Sequence, residues 1–239
     1  MQSPFANMPP VVKNLLIINI IFFIATYALA RMVNMSTLFG AHYPASPLFK
    51  PWQPITYMFM HGGFTHIFFN MFALVSFGPM LEYTMGSKKF FNFYFITGIG
   101  GYIINTAWSA IAIHAIVGSF SVPNVQIGYL DAFMVYGDRI QANHLYDLYN
   151  GGLVGASGAI FGILVGFAML FPNLEMMIMF IPVPIKAKYV VIGYIALELF
   201  TGVGSFAGDN VAHFAHLGGA LFGFLLIKLW GIKRPNNFY

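Results

Sequence analysis

The sequence predicts an all-α polytopic membrane protein, a bundle of six spanning helices. Two observations carry that prediction. The 239 residues are 59% hydrophobic and only 8% charged, whereas soluble domains carry about 25% charged residues. The apolar residues also gather into six runs close to the roughly 20 residues that a spanning helix needs. A mean hydropathy of +0.75, with 27 Phe, 14 Met and 25 Gly, fits a chain whose outer surface meets lipid and whose helices pack closely.

The six runs cover about residues 11–32, 64–83, 90–114, 152–171, 187–204 and 209–230. The first contains Ala28-Leu29-Ala30, which has the form of a leader cleavage site. It is long for a leader core, and one lysine, Lys13, precedes it, so an uncleaved helix is expected. An even number of spans puts both termini on one side. With both in the cytoplasm, Lys13, Lys88, Lys89, Lys186, Lys188, Lys228, Lys233 and Arg234 lie inside, and Arg31, Lys50 and Arg139 lie outside. Cytoplasmic segments carry the excess of Lys and Arg, so this is the expected orientation.

Two outer segments are long, about 33–63 and 115–151. The first contains Phe49-Lys50-Pro51-Trp52-Gln53-Pro54, with Trp52 suited to the headgroup interface. The second holds Asp131, Asp138, Arg139 and Asp147 among several tyrosines and is expected to fold onto the membrane surface. Nothing marks a repeat or a second domain, so residues 1–239 read as one membrane domain.

Other classes fall away. The net charge of +4 is scattered over the ends of apolar runs and forms no patch, which argues against nucleic acid. There is no cysteine, which removes thiol catalysis, disulfides and thiolate metal sites.

Polar side chains in hydrocarbon are costly and tend to be functional. Ser157 lies about five residues into the fourth run, and His216 about seven residues into the sixth. At 1.5 Å per residue those depths are roughly 8 and 10 Å from the same outer face. His66 and Asn70, spaced i, i+4, share one face at the outer end of the second run. Gly158, Gly162 and Gly166 form one stripe of small residues, and Ala215, Gly219 and Gly223 form another. Facing stripes let helices approach closely. Ser157 precedes its stripe by one position and His216 follows its own by one, so both side chains swing to the same side of the contact. A serine whose proton passes to a neighbouring imidazole is a nucleophile. An oxyanion formed by its attack needs fixed donors, for which His66, Asn70 and the Ser157 backbone N–H are placed. No acidic third member is evident. Asp209 sits two turns from His216, and Glu198 is expected to face water near the outer surface, so the arrangement reads as a Ser–His dyad. His213 and His216, with His61 or His66, have no carboxylate or thiolate evident nearby, so no metal site is expected. Glu82, at the inner end of the second run, reads as a structural bond to the following inner loop.

Beyond chemistry, the pattern resembles a known family. It includes Pro51-Trp52-Gln53-Pro54-Ile55-Thr56-Tyr57-Met58-Phe59-Met60-His61-Gly62-Gly63 and His66-Ile67-Phe68-Phe69-Asn70. It continues with Phe77-Gly78-Pro79-Met80-Leu81-Glu82 and Gly86-Ser87-Lys88-Lys89-Phe90, then the GASG holding Ser157 and the AHLGG holding His216. In this order it resembles the rhomboid family of intramembrane serine proteases, of bacterial type. The resemblance implies a six-helix core, Ser157 as nucleophile and His216 as base. It implies His66, Asn70 and the Ser157 amide at the oxyanion. Phe161 falls where many relatives have an aromatic that packs on the catalytic histidine, Gly155 of the motif is expected to support the site, and His213 is expected to support the outer loop or a site water. Substrates would be transmembrane proteins cut in or beside their spans, with no metal or organic cofactor. The site would open to the extracytoplasmic side of the inner membrane, with residues 201–208 as a lid. The segment 115–151 is longer than its counterpart in the shortest bacterial relatives. The arginine often paired with tryptophan in the first outer loop has no counterpart, because Trp52 is followed by Gln53. Two rivals make other predictions. A transporter needs polar groups through the full depth, and a non-catalytic binder of membrane clients needs neither Ser157 nor His216.

Overall fold

The computed structural model describes residues 8–122, 134–178, 181–204 and 212–234. Among them the chain is mainly helical, in the order α1 (Pro10–Ala28), α2 (Met35–Phe39), α3 (Gln53–Thr56), α4 (Phe64–Met85), α5 (Ser87–Val117), α6 (Arg139–Asn150) and α7 (Ser157–Leu170). A two-stranded hairpin, β1 (Glu175–Ile178) and β2 (Ile181–Lys186), then precedes α8 (Ala187–Gly204) and α9 (His213–Leu229). Helices α1, α4 and α5 are long and apolar enough to cross a membrane; α7 and α9 are apolar but shorter. Ile21 and Ile24 on α1, Phe68 and Phe72 on α4, and Ile192 and Leu197 on α8 are exposed, as a lipid-facing surface requires.

The centre of the bundle is α5, α7 and α9, packed through glycine. A Cβ on Gly219 would overlap the carbonyl of Gly158, and one on Gly223 would lie 2.8 Å from the Cα and O of Gly162. The two stripes therefore face each other. On the other side, a Cβ on Gly101 of α5 would come within 2.7 Å of the Ala215 carbonyl. Such backbone-to-backbone approach leaves no room for any side chain.

Helix α1 is anchored by α4. The first N–H groups of a helix have no carbonyl partner within it. The buried Glu82 carboxylate accepts from the N–H of Val11 (3.0 Å) and Val12 (2.9 Å), and the Ser87 hydroxyl donates to it at 2.7 Å. The expected bond to the following loop is present, and the larger part of the role is the link to α1.

The first outer segment is organised by Gln53, which is fully buried. Its Oε1 accepts from Lys50 N at 3.0 Å and His42 N at 3.4 Å, and its Nε2 donates toward Thr37 O (3.2 Å) and Leu48 O (3.1 Å). With Leu38 O also 3.4 Å from Nε2, one amide holds five backbone positions of an irregular loop. Gln53→Ala is expected to destabilise the protein by about 3 kcal/mol, because it leaves buried backbone groups unpaired. Thermal unfolding in detergent measures this, and an unchanged midpoint would mean the loop is held elsewhere.

In the second long segment, the described residues 134–150 pack on protein. Helix α5 runs 31 residues, about 46 Å at 1.5 Å per residue and so longer than the ~30 Å hydrocarbon layer. The amphipathic α6 packs on its outer end through Ile113, Ala142, Leu145 and Tyr149, joined by Tyr43 of the first outer segment. Asp138 caps α6 by accepting from the N–H of Ile140 and Gln141. His42 Nδ1 meets the Asn150 carbonyl at 2.9 Å, and Ser46 Oγ donates to Asn150 Oδ1 at 2.8 Å, tying the two outer segments together. Asp131 lies outside the described residues.

In the hairpin, Met176 pairs with Ile185 and Glu175 with Lys186, antiparallel. Pro182 and Pro184, two residues apart in β2, lack N–H groups, which suits an isolated two-stranded ladder with open edges.

Candidate active site

Residues 152–156 are not helical; they run into the bundle as irregular backbone that turns at Gly155 and Ala156. Leu153 exchanges both backbone hydrogen bonds with Ala41 (2.8 and 2.9 Å), and Gly155 N–H donates to Tyr57 O at 3.0 Å. Irregular backbone at this depth is tolerated because it is held by protein on both sides. Helix α7 therefore begins at Ser157 itself, five residues later than the apolar run suggested, and His216 is the fourth residue of α9. As first residue of α7, Ser157 presents an N–H that the helix cannot satisfy, and helix N-termini favour negative charge.

The helix contact described above brings the two side chains together. Ser157 Oγ lies 2.8 Å from His216 Nε2. The Phe161 ring, one turn after Ser157, stacks on the His216 imidazole with centroids 4.5 Å apart and planes 7° from parallel, which fixes the plane of the ring.

Gly155 has a φ of +130°, in the region side chains rarely adopt, and a Cβ there would meet His66 Cε1 and Nε2 at 2.8 Å. The missing side chain is what lets the His66 ring lie beside Ser157. Gly62 N–H donates to His66 Nδ1 at 3.3 Å, so the neutral ring carries its proton on Nε2, the nitrogen facing that space. Asn70 is buried and spends one amide hydrogen on the His66 carbonyl at 2.9 Å, leaving the other for the cavity it lines. That cavity, about 920 Å³, has His66, Asn70, Ser157 and His216 at one end and extends between Phe72 of α4 and Tyr194 of α8.

On the far side of His216 stands Glu198 of α8. Its Oε2 is 3.0 Å from His216 Nδ1 and 2.6 Å from His213 Nδ1. The shorter contact is a hydrogen bond; the longer one is close but not aligned as one. Thr201 Oγ1 donates to Leu197 O at 2.8 Å and lies 3.1 Å from His213 Nδ1. A hydroxyl already donating and a carboxylate, both at Nδ1, require a proton on that nitrogen.

The rhomboid domain family model matches residues 48–232. The chain belongs to the rhomboid family. It is 29% identical over 190 residues to "Rhomboid-like protease 1" of Toxoplasma gondii, covering 70% of this chain and 64% of that protein. It is 29% identical over 187 residues to "Putative rhomboid protease YdcA" of Bacillus subtilis, covering 78% of this chain and 71% of that one. "Rhomboid protease AarA" of Providencia stuartii is 29% identical over 216 residues, with coverage of 84% and 63%. The chain spans less than two thirds of the length of the Toxoplasma relative and 38% of "Rhomboid protein 1, mitochondrial" of Saccharomyces cerevisiae.

Among the described residues of this rhomboid, Ser157, His216, Phe161, Gly155, His66 and Asn70 line or adjoin one space, and His213 stands behind His216. Two expectations are corrected. Glu198 does not face open water. It lies against both histidines, so an acidic neighbour of His216 is present. The same carboxylate overturns the premise that no acidic ligand stands near His213 and His216. The available sign was the spacing of Glu198 from Thr201 on one helix face, but nothing in the sequence fixes how α8 rotates against α9. Asp209 and residues 205–208 of the expected lid lie outside the described residues.

His61, just before α4, is 3% exposed and packs edge-on against His66 with centroids 5.1 Å apart. Burial, and next the neighbouring His66, push its pKa down from 6.5 to about 4. The folded state therefore binds this proton more weakly than the unfolded state. The stability it contributes is complete above 6.5 and is lost as the pH falls toward about 4, by up to about 3 kcal/mol. Unfolding midpoints measured from pH 7 to 4 are expected to fall, and His61→Gln is expected to flatten that fall.

Proposed function

We propose that this protein is an intramembrane serine protease that hydrolyses peptide bonds in or beside the spans of other membrane proteins. The single observation supporting this most is the 2.8 Å contact between Ser157 Oγ and His216 Nε2 at the head of a cavity open between α4 and α8. The reading carries six spans in one domain with both termini in the cytoplasm. The cavity then opens to the extracytoplasmic side of the inner membrane, and the substrate's spanning segment enters sideways between α4 and α8. The lipid bilayer and transmembrane proteins are its partners.

The proposed chemistry uses the chain's own groups. Ser157 Oγ attacks the scissile carbonyl carbon while its proton passes to His216 Nε2. The oxyanion lies within reach of the His66 Nε2–H, the free Asn70 amide hydrogen and the Ser157 N–H. His216 returns the proton to the leaving amine, the C–N bond breaks, and an ester on Ser157 remains. Water, deprotonated by His216, attacks the ester, and collapse restores the Ser157 hydroxyl with the proton.

Glu198 extends this dyad. A proton held on His216 Nδ1 leaves the lone pair on Nε2, where Ser157 needs it, and the carboxylate stabilises the imidazolium formed on attack. A small rotation brings the 3.0 Å contact into line. Glu198→Gln is expected to lower kcat by about tenfold to a hundredfold with little change in KM, read from steady-state cleavage. An unchanged kcat would remove Glu198 from the mechanism.

The function is tested with purified protein in liposomes and a single-span model substrate. The expected result is one cut whose new N-terminus maps within or next to the span. The absence of a cut, or an equal rate on the same sequence presented as a soluble unfolded peptide, would contradict the proposal. A transporter or a non-catalytic client binder gives no product.

A further inference from the structure

We propose that Glu198, His213 and His216 form a binding site for a divalent transition metal, best suited to zinc, whose occupation switches the active site off. The switch rests on the reading of His216 as the base; the site itself does not.

The donors converge. Glu198 Oε2, His213 Nδ1 and His216 Nδ1 all lie within 4.8 Å of one another. The two imidazoles are 6.5 Å apart between centroids with planes at 85°, so their ring edges can meet at one point without stacking. Two imidazoles and one carboxylate make a set that zinc takes readily. A tetrahedral ion with ~2.0 Å bonds sets its ligands about 3.3 Å apart. The Glu198 contacts of 2.6 and 3.0 Å open by about 0.3–0.7 Å to reach that spacing, a movement available to a glutamate side chain, and the two imidazole nitrogens, which lie within 4.8 Å of each other, draw in by turning about their side-chain torsions. The His216 plane is already set by Phe161.

The ion has a way in. His213 also lines an outer cavity of about 470 Å³ whose walls include Asn105, Thr106, Ser109 and Asp147. The three side chains are 11–12% exposed, buried enough to exclude bulk water and open enough to be reached. A water from that cavity supplies the fourth ligand, the arrangement of a site with three protein donors.

Occupation changes the tautomer of His216. A metal needs the Nδ1 lone pair of both histidines, so the single ring proton of His213, and that of His216, must move to Nε2. His216 Nε2–H then donates to Ser157 Oγ and cannot accept its proton, and Glu198 is drawn away from its role beside Nδ1. One carboxylate therefore serves two exclusive states: metal-free, with His216 held as an acceptor for Ser157, and metal-bound, with His216 held as a donor. The ion also ties α8 to α9, and α8 forms one wall of the cavity.

The test uses the full-length protein, stripped with chelator in detergent micelles and titrated with Co²⁺. Visible absorption of tetrahedral cobalt is expected at one ion per chain, displaced by Zn²⁺, and equal in Ser157→Ala, which removes no ligand. Glu198→Gln and His213→Gln are expected to bind at least about tenfold more weakly, with circular dichroism and unfolding midpoints showing that they fold. No cobalt signal in the wild type, or wild-type affinity in both folded variants, overturns the site. In the cleavage assay, Zn²⁺ is expected to inhibit the wild type and a chelator to restore it. His213→Gln, compared with its own metal-free rate, should resist inhibition. Cobalt binding with no effect of zinc on turnover overturns the switch. Cobalt binding in a protein that cleaves nothing counts against the proposed function and for the site.

Discussion

Ser157→Ala and His216→Ala are each expected to lower turnover of a spanning substrate by about 10⁴-fold or more, with the double variant scarcely worse than either. The reason is that the two groups perform one act. Without the hydroxyl there is no atom to form the ester. Without the imidazole the hydroxyl keeps its proton and is a poor nucleophile. Because the two side chains meet at a single 2.8 Å contact, removing either also removes the other's contribution. Folding should survive both changes. One partly buried hydrogen bond is worth about 1 kcal/mol, and the packing of α7 on α9 lies in the glycines behind it. Single-turnover cleavage and unfolding midpoints, measured on the same preparations, separate loss of chemistry from loss of fold. Two folded variants that cut as fast as the wild type would remove the catalytic reading of this pair.

Gly219→Leu is expected to cost about 3 kcal/mol and at least about a hundredfold in turnover. A Cβ at Gly219 would overlap the backbone carbonyl of Gly158, and backbone of a packed helix cannot turn away as a side chain can. The helices must separate, and Ser157 and His216 separate with them. A misplacement of about 1 Å costs about a hundredfold where proton transfer depends on geometry. Gly231→Ala provides the contrast, because a Cβ there meets nothing within 4 Å. Its φ of +59° costs some backbone strain, but it leaves the α7–α9 contact untouched. If Gly219→Leu kept full activity, that contact could not be what aligns the pair.

Those glycine stripes were legible in the sequence because their signal is periodic and local. Gly158 and Gly162, and Gly219 and Gly223, recur every four residues whatever surrounds them. The six apolar runs were legible for the same reason, and each overlaps one of the long or apolar helices described. Their edges were less so. Residues 152–156 are apolar enough to extend the run, yet they stay outside the helix because Leu153 pairs with Ala41, more than a hundred positions away. Hydropathy reports the depth of a residue and not its conformation. The setting of Glu198 was not legible for a related reason. Its partners lie on another helix, and no pattern within α8 shows which way it turns. Gln53 stands where the familiar loop would carry an arginine. From sequence it looked like a departure, whereas its buried amide holds the loop by bonding backbone. The hairpin at 175–186 lies among apolar residues and two prolines with no alternation of polar and apolar positions to mark a strand.

The most direct measurement is to treat the purified protein with an acylating or phosphonylating serine-hydrolase reagent and map the adduct by mass spectrometry. A serine activated by His216 should carry the label at Ser157, and His216→Ala should lose it while remaining folded. A label absent from Ser157, or formed there equally fast without His216, would contradict the claim that this imidazole makes this hydroxyl a nucleophile.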